Sequence, residues 1–269
     1  MVDLNREKID SSVWLYADEG AAYSDYGEDI CPDNPHRNQL TILFERWKKI
    51  ARDLNITYVL TGGSLLGAWR QGDVIPFDQD VDIQILNDDV PKLESLAHHR
   101  SRDTFYKGPD TSRLVVQEDW ELDLECNRRR EFDCSGDLIT AAREKVTTKW
   151  DKCVFSGLTA RLFDLDPTFE DVMVDIFHFT TRQGFVRCSC SNNRWSHGEM
   201  FPLKRCKFLG SSTWCPNNSG VVLRELYPKE LLRPTKKCVG GEWVEVQRAR
   251  LMKTLRKRCE EFARTEILA

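Results

Sequence analysis

Three aspartates at alternate positions, Asp78, Asp80 and Asp82, stand in the stretch Ile75-Pro-Phe-Asp-Gln-Asp-Val-Asp-Ile83. On a strand, alternate residues share a face, so Asp80 and Asp82 would set two carboxylates side by side. Unpaired, such groups repel and resist burial. A hard divalent cation resolves that conflict, and Mg²⁺ commonly takes one or two carboxylates plus substrate phosphates. The plain alternative is a solvated acidic turn. An EF-hand loop is excluded: it needs Gly at its sixth position and Glu at its twelfth, where this chain has Ile83 and Asp89. A third acid would complete a phosphoryl-transfer site, and Asp175 is the candidate. It is an isolated charge in Met173-Val-Asp-Ile-Phe177, costly to bury without a cation or hydrogen bonds. An edge strand turning Asp175 to water is the competing reading. Asp123 has similar alternation, but its acidic neighbours mark an exposed face.

Ahead of the acids comes Gly62-Gly63-Ser64. Glycines admit close backbone approach to a phosphate, and a helix start presents unpaired N–H groups and a positive dipole end. Such a turn is more often only a turn. Arg70 could meet another phosphate oxygen, against the default of a surface ion pair.

The elements that must position these groups follow from periodicity. Leu40, Leu43, Phe44, Trp47, Ile50, Ala51 and Leu54 recur at three- and four-residue steps, predicting a helix over 35–54 packed on the core. Residues 57–60 form a short strand. Residues 64–70 form one or two helical turns with Ser64 as N-cap, broken at Gly72-Asp73. Strands are expected at 81–86, 113–117, 158–163 and 171–179, and helices at 88–98 and 221–226. In the 171–179 strand, Val172, Val174 and Ile176 share one face, and Met173, Asp175 and Phe177 the other. Residues 1–34 read as an irregular wrap. Residues 236–269 read as a C-terminal amphipathic helix anchored by Leu251, Leu255 and Phe262.

These residues resemble the LicD, fukutin and fukutin-related protein family. Its hallmark is a Gly-Gly-Ser/Thr-Leu-Leu-Gly turn, an Arg, then Ile-Pro-Trp-Asp-x-Asp-x-Asp. This chain has Gly62-Gly-Ser-Leu-Leu-Gly67, Arg70, and Ile75-Pro-Phe-Asp-Gln-Asp-Val-Asp82. Val174-Asp-Ile176, Phe201-Pro-Leu203, Pro216-Asn217 and Leu223…Tyr227 are similar to later family blocks, so the resemblance runs over about 40–235. Phe77 replaces the usual Trp, and Pro228 the usual Gly. The resemblance implies one domain over 35–235, an α/β (α+β) nucleotidyltransferase-like mixed sheet flanked by helices. It implies transfer of a phosphocholine, ribitol phosphate or glycerol phosphate type of group from a CDP-linked donor to a hydroxyl of a glycan or glycoprotein. Asp80, Asp82 and Asp175 would hold Mg²⁺ (or Mn²⁺) as metal ligands and catalytic residues. Asp175 is also a candidate acceptor of the hydroxyl proton. Gly62, Gly63, Ser64 and Arg70 would bind the donor phosphates.

Two other readings compete: a metal-dependent glycosyltransferase with a nucleotide-sugar donor, and a non-catalytic glycan-binding relative. Other classes are disfavoured by composition. The chain of 269 residues is 41% hydrophobic and 30% charged, which excludes wholesale disorder. Its net charge of −4 offers no basic surplus for nucleic acid. The runs Arg128-Arg-Arg130 and Lys253…Arg258 lack interleaved aromatics. No apolar run approaches the ~18 residues of a membrane span, and no signal-peptide core is visible. The chain as given reads as cytoplasmic, or as lumenal if an upstream anchor is missing. Ten cysteines leave free thiols, disulfides and a zinc site open. Two glycosylation sequons occur, Asn55-Ile-Thr57 and Asn217-Asn-Ser219. The first abuts a core strand, which predicts a poorly reachable Asn55.

Overall fold

The computed structural model describes residues 26, 30–96, 112–117, 120, 131–132, 138–139, 158–188, 193–227 and 234–245. The first helix, α1 (Arg37–Asp53), buries the expected stripe of Leu40, Leu43, Phe44, Trp47, Ile50 and Ala51. It closes in a two-bond cap, Asn55 N–H to Arg52 O and Ile56 N–H to Ala51 O, with Asn55 at φ 51°. Strand β1 (Tyr58–Leu60) follows, then α2 (Gly62–Gln71). The N-cap of α2 is Thr61 in extended backbone, so the helix starts earlier than a Ser64 cap would place it. Gly62 adopts φ 54°, which lets the helix begin directly off β1. Gly72 ends it in left-handed backbone.

Strand β2 (Asp80–Leu86) runs into a 3₁₀ turn (Asn87–Asp89) and α3 (Val90–Leu96). Next come β3 (Ser112–Val116), the short pair β4 (Glu131–Phe132) and β5 (Leu138–Ile139), β6 (Ala160–Asp164) and the long β7 (Met173–Arg182). Strands β8 (Phe185–Cys188) and β9 (Arg194–Ser196) then lead to α4 (His197–Met200). The hairpin β10 (Lys204–Phe208) with β11 (Ser211–Cys215), α5 (Ser219–Leu226), and the hairpin β12 (Lys236–Val239) with β13 (Glu242–Glu245) complete the order.

The central sheet is mixed, with order β1-β2-β7-β6-β3; β8 joins β7, and β9 joins β8. Among the described residues only its β2–β7 pair is parallel; β1–β2, β7–β6, β6–β3, β7–β8 and β8–β9 are antiparallel. This is the α/β mixed architecture expected. The main core includes Val81, Ile83, Ile85, Leu162, Val174 and Ile176 from the sheet, with the α1 stripe. Phe163 and Met173, with Val115 against them, form a separate small cluster. That alternation sorts β7 as its sequence does, with Val174 and Ile176 toward the main core and Met173 and Asp175 on the opposite face.

Two disulfides lie among the described residues. Cys206–Cys215 spans the β10–β11 hairpin, and Cys31–Cys238 joins the segment before α1 to β12. Cys188 is buried, and its Sγ accepts a hydrogen bond from Gln84 Nε2 at 3.0 Å. Cys206 and Cys215 are therefore not zinc ligands. The expected C-terminal helix over 236–269 is corrected at its start: 236–245 is a hairpin, turned at Gly240-Gly241 and held at Cys238. Its anchors Leu251, Leu255 and Phe262 lie outside the described residues, as do Asp123 and both basic runs. No described helix is long and apolar enough to cross a membrane.

Candidate active site

The acids come together through strand register. Asp82 on β2 pairs with Asp175 on β7, and Asp175 pairs in turn with Arg161 on β6. Thr61 donates its N–H to Asp82 O at 3.1 Å on the other side. Thr61, Asp82, Asp175 and Arg161 thus form one row across the sheet. Asp80, two residues before Asp82, lies on the same face. One carboxylate oxygen from each of Asp80, Asp82 and Asp175 falls within 4.8 Å of the others. The sequence-derived acids are thus one cluster, and neither the solvated-turn nor the edge-strand reading describes them.

The cluster is electrostatically unfavourable by itself. Burial, then the Asp78 charge, pushes the Asp80 carboxyl up to about 7. Asp82 lies well above the ordinary carboxylate range, through burial first and then the charges of Asp80, Asp175 and Asp78. Asp78 is raised by burial, with the neighbouring Asp80 side chain and the Gln79 backbone N–H partly offsetting it. Asp175 is raised by burial despite Arg161. An all-oxygen set of crowded, half-buried carboxylates is what a hard divalent cation binds, so the residues present fit Mg²⁺ or Mn²⁺.

The Gly-Gly-Ser turn packs against this cluster. Gly63 N–H donates to Asp82 Oδ2 at 2.9 Å, and Asp82 N–H donates to Ser64 Oγ at 2.9 Å. A Cβ on Gly62 would collide with the Asp82 carboxylate, and one on Gly63 would lie 2.7 Å from Asp78 Oδ2. The glycines are thus the floor on which Asp78 and Asp82 rest. In this structure the Gly63 N–H and the Ser64 hydroxyl serve Asp82.

Arg70 is only 6% exposed, so the surface ion pair is not its state. It lies beside Tyr26 and Tyr227, and burial lowers its affinity for its proton. Tyr227, at the C-terminus of α5, has its phenol pushed up by burial and by the charges of Asp82, Asp78 and Asp80. Tyr227 is thus close enough to feel both Arg70 and the acids.

Arg161 was not expected from sequence. Its Nε donates to Asp175 Oδ1 at 2.6 Å and its Nη2 to Asp175 Oδ2 at 2.9 Å, with the two residues 6% and 7% exposed. Its signal was present: like Asp175, it is an isolated charge in an apolar strand, Ala160-Arg-Leu-Phe163. Asn34 is a second unexpected contributor. Its Nδ2 donates to Ile75 O at 2.9 Å and Asp78 O at 2.8 Å, holding the loop that delivers the acids. Tyr26, Phe77 and Trp243 pack edge to face beside that loop, with centroids 5.6–6.5 Å apart.

A known domain family matches part of the chain that carries this geometry. Residues 55–156 match the LicD/FKTN/FKRP nucleotidyltransferase domain. The mouse (Mus musculus) and human (Homo sapiens) proteins named Ribitol 5-phosphate transferase FKRP are each 56% identical to this chain over 41 residues. That stretch is 15% of this chain and 8% of those relatives. The resemblance read from the sequence is thus borne out, over 55–156. The domain match includes the Gly-Gly-Ser turn and the Asp-x-Asp-x-Asp motif. Arg161 and Asp175 lie beyond it in sequence and are joined to it by the sheet.

Proposed function

We propose that this protein transfers a phospho-alcohol group, of the phosphocholine or ribitol/glycerol phosphate type, from a CDP-linked donor to a hydroxyl of a glycan or glycoprotein. The observation that carries the reading is the convergence of Asp80, Asp82 and Asp175 within 4.8 Å on two adjacent parallel strands. The family match and the name of the FKRP relatives supply the class of group transferred.

Asp80, Asp82 and Asp175 would hold Mg²⁺ or Mn²⁺. When bound, the cation supplies charge neutralisation at the donor pyrophosphate. Everything else falls to the chain itself. Arg161 fixes both oxygens of Asp175 and keeps that carboxylate oriented toward Asp82. It is a positioning residue. Gly62, Gly63 and Ser64 seat Asp82 and bring the start of α2 to the acids, where a donor phosphate would meet its positive end. Arg70 adds a permanent cation behind that position. Asp175 would accept the proton of the acceptor hydroxyl through a lone pair that Arg161 leaves open. Phosphoryl transfer rests mainly on positioning and charge stabilisation, so no protein nucleophile is required.

The test is a thermal-shift panel with Mg²⁺ or Mn²⁺ and CDP-ribitol, CDP-glycerol, CDP-choline, CTP or UDP-sugars, followed by transfer assays with the donor that binds. A donor at ~100 times its dissociation constant adds about 2.7 kcal/mol. For a chain of this length that raises the melting temperature by roughly 5–10 °C. A metal-dependent shift with one cytidine donor, lost in Asp80→Asn, is expected. A shift with UDP-sugars alone would replace this reading with a glycosyltransferase.

A further inference from the structure

We infer that Asn55 is an N-glycan acceptor, and that the protein matures where both disulfides and N-glycans are made. The sequence carries two sequons, and the structure treats them differently. Asn217 sits in a tight turn and is half-buried. Its Nδ2 donates to Gly198 O at 2.7 Å and its N–H to Met200 O at 2.9 Å. The partner of that sequon, Ser219, is buried at the start of α5 with its hydroxyl on Pro216 O. A glycan there would have to displace the turn.

Asn55 is the opposite case. It is exposed, where its place before a core strand had suggested otherwise. The reason is its backbone. The left-handed conformation at φ 51° closes the cap of α1 at Asn55, three residues before β1 begins. Its backbone is engaged, with Lys92 Nζ on its carbonyl at 2.8 Å, while its side-chain amide makes no hydrogen bond among the described residues. Asn suits a left-handed cap for conformational reasons alone. What that reason does not account for is Thr57 two residues on, with its hydroxyl likewise without a partner among the described residues.

Two further observations support the inference. Cys31–Cys238 and Cys206–Cys215 belong to an oxidising compartment. Asn55 also lies at the far end of the sheet from the acids. Strand β1 runs from Tyr58, paired with Ile85, to Leu60, paired with Ile83, and reaches Asp82 only at Thr61. A glycan at its start leaves the acid end of the sheet open.

The step is a substitution at the sugar. The Asn55 amide nitrogen bonds to the anomeric carbon of a lipid-pyrophosphate-linked oligosaccharide and loses one proton to a base of the host transferase. The bond from that carbon to the pyrophosphate oxygen breaks, and the lipid pyrophosphate leaves with the electron pair.

The experiment is glycosidase release in heavy-oxygen water, followed by trypsin and mass spectrometry, on the full chain made in a eukaryotic secretory pathway. Trypsin separates the sequons, because Asn55 falls in the peptide 53–70 and Asn217 in 208–224. Release-dependent labelling of 53–70 is expected, and absence of labelling there overturns the inference, whether or not 208–224 is labelled. Two variants separate acceptor chemistry from folding. Asn55→Gly keeps the left-handed cap and Thr57→Val keeps the strand. Each should abolish the labelling of 53–70 while the protein is still secreted. Persistence of a glycan on that peptide in Thr57→Val would also overturn it.

Discussion

The acid cluster is a set of like charges forced together, and its individual residues answer to that fact. Asp80→Asn and Asp82→Asn each remove a proposed ligand while relieving repulsion. Each is expected to abolish turnover and the metal-dependent thermal shift, without lowering the melting temperature of the metal-free protein. A retained metal shift in both would sink the ligand assignment. The same repulsion sets a pH dependence. The Asp80 carboxyl sits at about 7 in the folded chain, against an ordinary value near 3.9. Between those values the folded state holds a proton that the unfolded state has lost, so stability falls as pH rises through that window. The metal-free protein should therefore melt at a lower temperature at pH 8 than at pH 5, and Mg²⁺ should raise it more at pH 8. Scanning calorimetry with and without Mg²⁺ measures both, and a metal effect independent of pH would contradict the charged cluster. Arg161 is judged by metal affinity. Loss of a residue that orients a ligand typically costs 10–100-fold. Arg161→Lys cannot reproduce the two parallel bonds, so it should weaken Mn²⁺ binding by that factor in a calorimetric titration. Mn²⁺ affinity unchanged in a folded Arg161→Lys protein would remove its positioning role.

At the scale of elements, the sequence was most legible where a periodic pattern was long. The α1 stripe and the alternation of β7 give the observed helix and strand, and the alternation of Asp80 and Asp82 puts both on one face, while the β2–β7 register brings Asp175 beside them. Short segments were less legible. The start of α2 depends on Gly62 reaching a positive φ beneath Asp82, a tertiary demand that capping preference at Ser64 does not reveal. Arg161 escaped because its partner lies on the neighbouring strand, and register between strands is not written in either one alone. Asn34 escaped because its bonds cross 41 and 44 residues. The Gly62 position carries its own prediction. Gly62→Ala would meet both an unfavourable φ and the Asp82 carboxylate, at a cost of about 1–3 kcal/mol. Turnover should fall further than stability alone explains, because the carboxylate must move. Ser64→Ala, which removes only the hydroxyl that accepts the Asp82 N–H, should cost about 1 kcal/mol. Equal activities for the two folded variants would show that Asp82 does not rest on the turn.

For the whole molecule, the question is why segments so far apart in sequence meet at the acids. The loop that delivers Asp78 and Asp80 is a short run between α2 and β2, with few internal bonds to fix it. Arg37 on α1 holds Asp73 at the start of the loop, and the rest of its fixing comes from the two ends of the described chain. Asn34 holds the Ile75 and Asp78 carbonyls, and Tyr26 and Trp243 pack on Phe77. Cys31–Cys238 ties those two ends together, with Cys238 N–H on Tyr26 O and Trp243 Nε1 on Pro32 O at 3.3 Å. The bond closes a loop of 207 residues, and cross-links of this kind typically add about 2–4 kcal/mol. Its removal should also be felt at the acids, because the wall behind Phe77 loses its tether. A Cys31→Ser/Cys238→Ser double variant is therefore expected to melt roughly 5–15 °C lower. Below its melting temperature it should also bind Mn²⁺ more weakly. The Cys206→Ser/Cys215→Ser variant loses a cross-link spanning only 9 residues, on a hairpin packed against α1 and β1, and serves as the comparison. It should lose stability with Mn²⁺ affinity unchanged. Equal Mn²⁺ affinity in both variants would mean that the disulfide at the chain ends stabilises the fold without shaping the site.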